Sequence, residues 1–125
     1  MEQELKDRTK RFALRIMNLV DALPKTTSAI AIGRQIIRSG TSVGANYRAA
    51  CRGRSKAEFI SKLGIVAEEA DETCFWLELI IEGNLLPQSK VQPLLKEADE
   101  LTAIFVSSIK TSQQNQKSKI GVQKS

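Results

Sequence analysis

Apolar side chains recur along this chain at spacings of three and four, the period of a helix that buries one face. The first run is Leu5, Phe12, Ile16, Leu19 and Leu23, with Thr9 filling the remaining slot. It predicts an amphipathic helix over about residues 3–23. Pro24 closes it, because the residue before a proline avoids the helical region. Thr26, Thr27 and Ser28 offer N-caps for a second helix, whose stripe is Ala29, Ile32, Ile36, Gly40, Val43, Tyr47 and Ala50. By composition, Arg38-Ser39-Gly40-Thr41-Ser42-Val43-Gly44 looks like a loop. The stripe nevertheless passes through it without a phase slip, which predicts one helix over about residues 28–52; a break near Gly40 is the alternative. Each of Gly33, Gly40 and Gly44 costs roughly 1 kcal/mol against alanine inside a helix. They fall with Cys51 on one side, and a strip of small residues lets a neighbouring helix come close.

Gly53 ends the second helix, and Ser55-Lys56-Ala57-Glu58 has the form of a capping box. The third helix carries Phe59, Leu63, Val66, Ala70, Cys74, Leu77 and Ile81 on one face and stops at Gly83-Asn84, with Pro87 just beyond. Ile65, Trp76, Leu79 and Ile80 fall on a different side. A single stripe suffices inside a four-helix bundle, so a second one asks for a second partner and marks a candidate oligomer interface. The last helix begins around Ser89 to Pro93, with the proline expected in its first turn, and runs through Leu94, Ala98, Leu101, Phe105 and Ile109 to about Ser112. Residues 113–125 read as a flexible basic tail, too poor in apolar side chains to fold alone. Long helices with short connections make an all-α, antiparallel up-and-down four-helix bundle over residues 1–112.

Charge changes this picture from a generic bundle to a polarised one. The chain of 125 residues carries a net charge of +5, unevenly spread. Between Asp21 and Glu58 there is no acid, and Lys25, Arg34, Arg38, Arg48, Arg52, Arg54 and Lys56 stand alone. From Glu58 to Glu100, ten acids face only Lys62, Lys90 and Lys96. Beyond them Lys110, Lys117, Lys119 and Lys124 are the only charges.

Chemistry is sparse by comparison. The chain has no histidine, which removes the commonest general base and His-based triads and metal sites. Two cysteines, Cys51 and Cys74, cannot form a four-ligand zinc site and are expected as small core fillers. No phosphate-cradling glycine loop follows a strand. Glu68-Glu69-Ala70-Asp71-Glu72 lacks the histidines that pair with glutamates in di-metal bundles. The expectation is therefore no enzyme, no catalytic residue, no metal and no cofactor. Without a signal-peptide pattern or a run of about 20 apolar residues, the protein is expected in the cytoplasm and away from membranes.

The sharper feature is an arginine ladder. At about 100° per residue, Arg34, Arg38, Arg48 and Arg52 fall within an arc of roughly 80° on the second helix. Guanidiniums along one helix face can neutralise successive phosphates of RNA or DNA, and Arg54, Lys56 and the tail extend the patch. A competing reading pairs this basic helix with the acidic third helix, within a subunit or across an interface. Aromatic residues that could stack on bases are nearly absent, so nucleic-acid contact is expected with the backbone alone.

Several segments together resemble a known family. They are Leu23-Pro24-Lys25, Gln35-Ile36-Ile37-Arg38-Ser39-Gly40-Thr41-Ser42-Val43-Gly44-Ala45-Asn46, Ser55-Lys56-Ala57-Glu58-Phe59-Ile60-Ser61-Lys62-Leu63, and Glu69-Ala70-Asp71-Glu72-Thr73 with Trp76-Leu77-Glu78-Leu79. They resemble the bacterial four-helix bundle proteins encoded in intervening sequences of 23S ribosomal RNA genes. The resemblance covers roughly residues 5–110. It implies a helical bundle that assembles as a homopentameric ring, without catalytic residues. It also implies likeness in architecture to the accessory variability proteins of diversity-generating retroelements, which bind nucleic acid and a reverse transcriptase. Tyr47-Arg48-Ala49-Ala50-Cys51-Arg52 departs from the family pattern, in which a glutamate in the alanine-rich stretch is usual; the basic tail is a second departure. The reading that results is a non-catalytic oligomeric adaptor binding RNA or DNA backbones. The alternative is a structural oligomer or protein-partner module.

Overall fold

The computed structural model describes residues 1–124, with side chains as far as Ser118. Four helices follow in order: α1 (Glu2–Asp21), α2 (Thr27–Cys51), α3 (Lys56–Glu82) and α4 (Gln88–Lys124). Each packs on the next in sequence, and α1 meets α4 least. The fold is an all-α four-helix bundle, as the two spacings predict.

Local chemistry sets the helix boundaries. The Thr26 side chain accepts the Ala29 amide at 3.3 Å, which caps α2. Ser55 accepts the Glu58 amide at 3.1 Å, while the Glu58 carboxylate accepts from the Arg54 amide at 3.2 Å. This capping box thus reaches one residue further back than the ideal pattern. At the end of α3 the left-handed residue is Asn84, at φ 55°, rather than Gly83; asparagine is the non-glycine residue that tolerates this geometry best.

Two boundaries depart from the sequence expectation. Pro93 is the sixth residue of α4, in the second turn rather than the first. It and Ser89 are both exposed, so water can satisfy the carbonyl that the missing amide leaves free. The other departure is at the C-terminus, where α4 continues past Ser112 to Lys124. Gln113, Gln114, Gln116 and Lys117 are good helix formers, and no glycine or proline interrupts before Gly121. The segment expected as a flexible tail therefore belongs to α4; Ser125 and the side chains of Lys119 and Lys124 lie outside the described residues.

The α2 glycines explain how α1 sits. A Cβ on Gly40 would stand 2.8 Å from Ile16 Cγ1, on Gly44 3.1 Å from Thr9 Oγ1, and on Gly33 3.3 Å from Leu23 Cδ1. These pairs run in opposite directions along the two helices, so α1 and α2 are antiparallel neighbours in close contact. The loop-like composition of α2 is the composition of a helix against which another helix lies almost backbone to backbone. Its opposite flank faces α3, where the buried hydroxyls of Ser39 and Thr73 share a 2.9 Å hydrogen bond.

Between the helices Phe12, Ile16, Ile36, Val43, Leu63, Val66, Leu77, Ile80, Val91, Leu101 and Phe105 are fully buried. Each contributes on the order of 1.5–3 kcal/mol by leaving water. Tyr47 reaches across to Phe105, ring centroids 5.3 Å apart. The thin α1–α4 seam is held by charge. Arg8 Nε donates to Glu97 at 2.8 Å, and its Nη2 reaches Glu97 at 2.6 Å and Glu100 at 2.8 Å. The hydrogen bond to Glu97 is the largest influence raising the Arg8 pKa further above its ordinary value.

Candidate nucleic-acid interface

The ladder lies on the outward face of α2, between the flank that meets α1 and the flank that meets α3. Arg34, Arg48 and Arg52 are exposed. Among the described residues none of the three has a carboxylate at ion-pair distance. Arg38 differs. Its Nη1 donates to Glu69 at 3.0 Å and its Nη2 pairs with Glu72, whose carboxylate also accepts from Trp76 Nε1 at 3.1 Å. The ladder therefore divides: Arg38 is a cross-brace to α3, and the other three arginines face solvent. The expectation that four guanidiniums present themselves together is corrected to three, because Arg38 leans toward the acidic helix.

Arg54 and Lys56 are exposed at the connection from α2 to α3, and the Lys56 ammonium stands 5.8 Å from the centre of the Phe59 ring. They continue the basic surface from the C-terminal end of α2. Arg34 lies 14 residues before Arg48 on the same helix, about 21 Å away along the axis, beside a hollow of ≈ 340 Å³ lined also by Lys25, Ile30 and Ile37.

A second concavity, of ≈ 440 Å³, runs between α1 and α2. Arg48 and Arg52 form one side, Lys6 and Lys10 of α1 the other, and Thr41, Gly44, Ala45 and Ala13 lie between them. The two lysines were not singled out from the sequence. The signal for them was present: once Thr9 is set against Gly44, residues 6 and 10 flank the same seam.

The candidate oligomer residues divide in the structure. Ile65 is exposed, Leu79 and Trp76 are half-buried, and Ile80 is fully buried in the core. Ile80 is therefore removed from the surface set: it lies two turns beyond Thr73, on the side of α3 that meets α2, and is wholly buried. Phe75, missed in the sequence, is 51% exposed and packs edge-on to Trp76 with ring centroids 5.1 Å apart. The outer face of α3 is thus an apolar strip set among Glu68, Glu69 and Glu72.

Neither cysteine is activated. Cys74 is buried and donates to Asp99 at 3.2 Å; burial first, then that carboxylate, push its thiol up to about 12. Burial also raises the half-buried Cys51 thiol. Among the described residues no set of acids and cysteines is placed to hold a metal ion, and no helix is long and apolar enough to cross a membrane.

The sequence matches no curated protein. A crystal structure of a protein of unknown function from the S23 ribosomal protein family of Bacteroides thetaiotaomicron is similar, at 38% identity and a TM-score of 0.80. The match covers 87% of this chain and 97% of that one. The family model described as 23S rRNA-intervening sequence protein matches residues 1–107, a span that takes in the glycine-seamed α2, the arginine ladder and the acidic α3. The chain belongs to the 23S rRNA-intervening sequence protein family.

Proposed function

We propose that this protein is a non-catalytic, cytoplasmic adaptor that binds the phosphate backbone of RNA or DNA through Arg34, Arg48 and Arg52, with Arg54 and Lys56 extending the surface. One observation carries the reading. On a helix beside an acidic neighbour, Arg34, Arg48 and Arg52 face solvent and, among the described residues, have no carboxylate at ion-pair distance, while Arg38 is paired with Glu69 and Glu72. An unpaired row of guanidiniums repels itself and gains by meeting anions. Contact with the backbone alone makes binding tolerant of sequence and strongly salt-dependent.

Affinity for a structured RNA and for duplex DNA, measured at several salt concentrations, tests this. Binding is expected at low salt, weakening steeply as salt rises, and weaker when Arg34, Arg48 and Arg52 are alanine. No binding at low salt, or binding indifferent to the three alanines, would defeat the proposal.

A second reading concerns assembly. Phe75 and Ile65 are exposed on α3, Leu14 and Met17 on α1, and Ile30 on α2. Apolar side chains of this size on several outer faces favour a homo-oligomer, and the family resemblance suggests five copies. Light scattering on the wild type and on Ile65→Glu with Phe75→Glu examines it; a mass equal to one chain in the wild type would end it.

A further inference from the structure

The α1–α2 groove has features that the ladder alone does not require. Lys6 and Lys10 are four residues apart, as are Arg48 and Arg52, so each wall repeats its cation once per helical turn, at about 5–6 Å. Neighbouring phosphates of one extended strand are spaced on the same scale. The floor is small, and at Gly44 the helices approach until a Cβ would stand 3.1 Å from Thr9 Oγ1. Among the described residues the acid lining the groove is Asp7, which accepts from Gln3 Nε2 at 3.0 Å. Glu2 stands 3.4 Å from the half-buried Lys6 ammonium one turn on, and because this carboxylate is itself exposed an incoming anion can displace it.

Those features select among polyanions. Packed helices lie about 8–10 Å axis to axis, so the cleft between them admits a single chain of phosphates and excludes the body of a duplex. Among the described residues no aromatic side chain lines it, which leaves no ring there for a base to stack on. We infer that the groove between α1 and α2 seats the phosphate backbone of a single nucleic-acid strand, held between Lys6 and Lys10 on one side and Arg48 and Arg52 on the other, with its bases turned outward. This rests on the nucleic-acid reading above and adds to it the strand state and the α1 wall. Inorganic polyphosphate carries the same line of charge, so it serves as a competitor that separates the two sources.

Fluorescence anisotropy with a labelled oligonucleotide, as single strand and as duplex, at two salt concentrations, tests the proposal on the full chain. The single strand is expected to bind roughly tenfold more tightly than the duplex. Lys6→Gln with Lys10→Gln is expected to weaken it as much as Arg48→Gln with Arg52→Gln, each pair lowering the salt slope by about 1.4 for two single-strand phosphates. Arg34→Gln, outside the groove, costs less than either pair. Ala45→Glu sets a carboxylate into the groove from an exposed helical position and abolishes binding, whereas Ala45→Gln retains part of it. Circular dichroism melts of all variants establish that they fold, and the glutamine pairs decide the matter should Ala45→Glu not. If duplex and single strand bind alike, the lysine pair is silent and Arg34→Gln is as harmful as the arginine pair, the groove is wrong while the nucleic-acid reading survives. If no nucleic acid binds at low salt, both fall. Polyphosphate that occupies the groove at concentrations where oligonucleotide does not also overturns the inference.

Discussion

Arg38 and Arg48 sit on one helix, within an arc that a helical wheel treats as a single face, and meet opposite fates. Arg38 leans to the α3 flank and is held by Glu69 and Glu72. Arg48 leans to the α1 flank, where the neighbours across the groove include Lys6 and Lys10. The difference lies in the company each flank keeps rather than in the arginines. On the α3 side a cation completes a cross-brace between helices. On the α1 side it adds to a cluster of cations that Glu2 and Asp7 offset only in part. A basic stripe on a helix is therefore not one functional unit, and its two edges have to be assigned separately.

Charge reversal breaks that comparison most sharply. Arg48→Glu with Arg52→Glu is expected to weaken RNA binding by about 100-fold at low salt, through loss of phosphate contacts. Because both side chains are exposed, the thermal melt should move by no more than the equivalent of about 0.5 kcal/mol. Arg38→Glu should do the reverse. Its affinity changes little, while stability falls by about 1–2 kcal/mol as three carboxylates are forced together. Filter binding and denaturant titration on the same preparations read both effects.

Glycine substitutions sharpen the account of the close α1 approach. Gly40→Val drives a branched side chain into Ile16, and overpacking of this kind costs about 1–3 kcal/mol. Gly64, on α3, has nothing within 4 Å of its would-be Cβ, so Gly64→Ala should stabilise by up to about 1 kcal/mol through helix propensity. Urea midpoints decide both. A smaller effect is expected at the opposite seam, where a double-mutant cycle on Arg8 and Glu97 should give a coupling of about 1 kcal/mol, since the pair is two-pronged and partly buried.

The last expected effect is confined to alkaline pH. The Cys74 thiol titrates near 12 in the fold against an ordinary 9, and burial raises Tyr47 as well. A group whose folded pKa is raised contributes stability fully below its unfolded pKa and loses it as pH climbs toward the folded one. Stability should therefore be flat up to about pH 9 and decline between 9 and 12; flat melts across that window would remove the thiol from the account. In the native protein at pH 8, thiol reagents should modify both cysteines far more slowly than after unfolding.

The helices were legible in the sequence because their apolar spacing is regular, even through Arg38-Ser39-Gly40-Thr41-Ser42-Val43-Gly44, where composition argued for a loop. Phase outweighed composition there because the glycines serve contact with α1. What periodicity could not supply was the lateral setting of each flank. Arg38 looks the same as Arg34 until Glu69 and Glu72 are placed beside it, and Lys6 and Lys10 look like ordinary solvated lysines until Thr9 is registered against Gly44. Ile80 was set on the outer side and Phe75 was overlooked for a similar reason: one residue of helical rotation is about 100°, and only packing fixes which side turns inward. The helical end of α4 was missed because low apolar content predicts no independent folding, yet a polar continuation of an anchored helix needs no nucleus of its own.

The most direct test of the central claim is an NMR titration of the arginine Nε–Hε signals with a short RNA at low salt. The account predicts that Arg48 and Arg52 shift progressively while Arg38, already bound to Glu69 and Glu72, stays in place. Signals that do not move at saturating RNA, or an Arg38 that moves while Arg48 and Arg52 remain still, would contradict it.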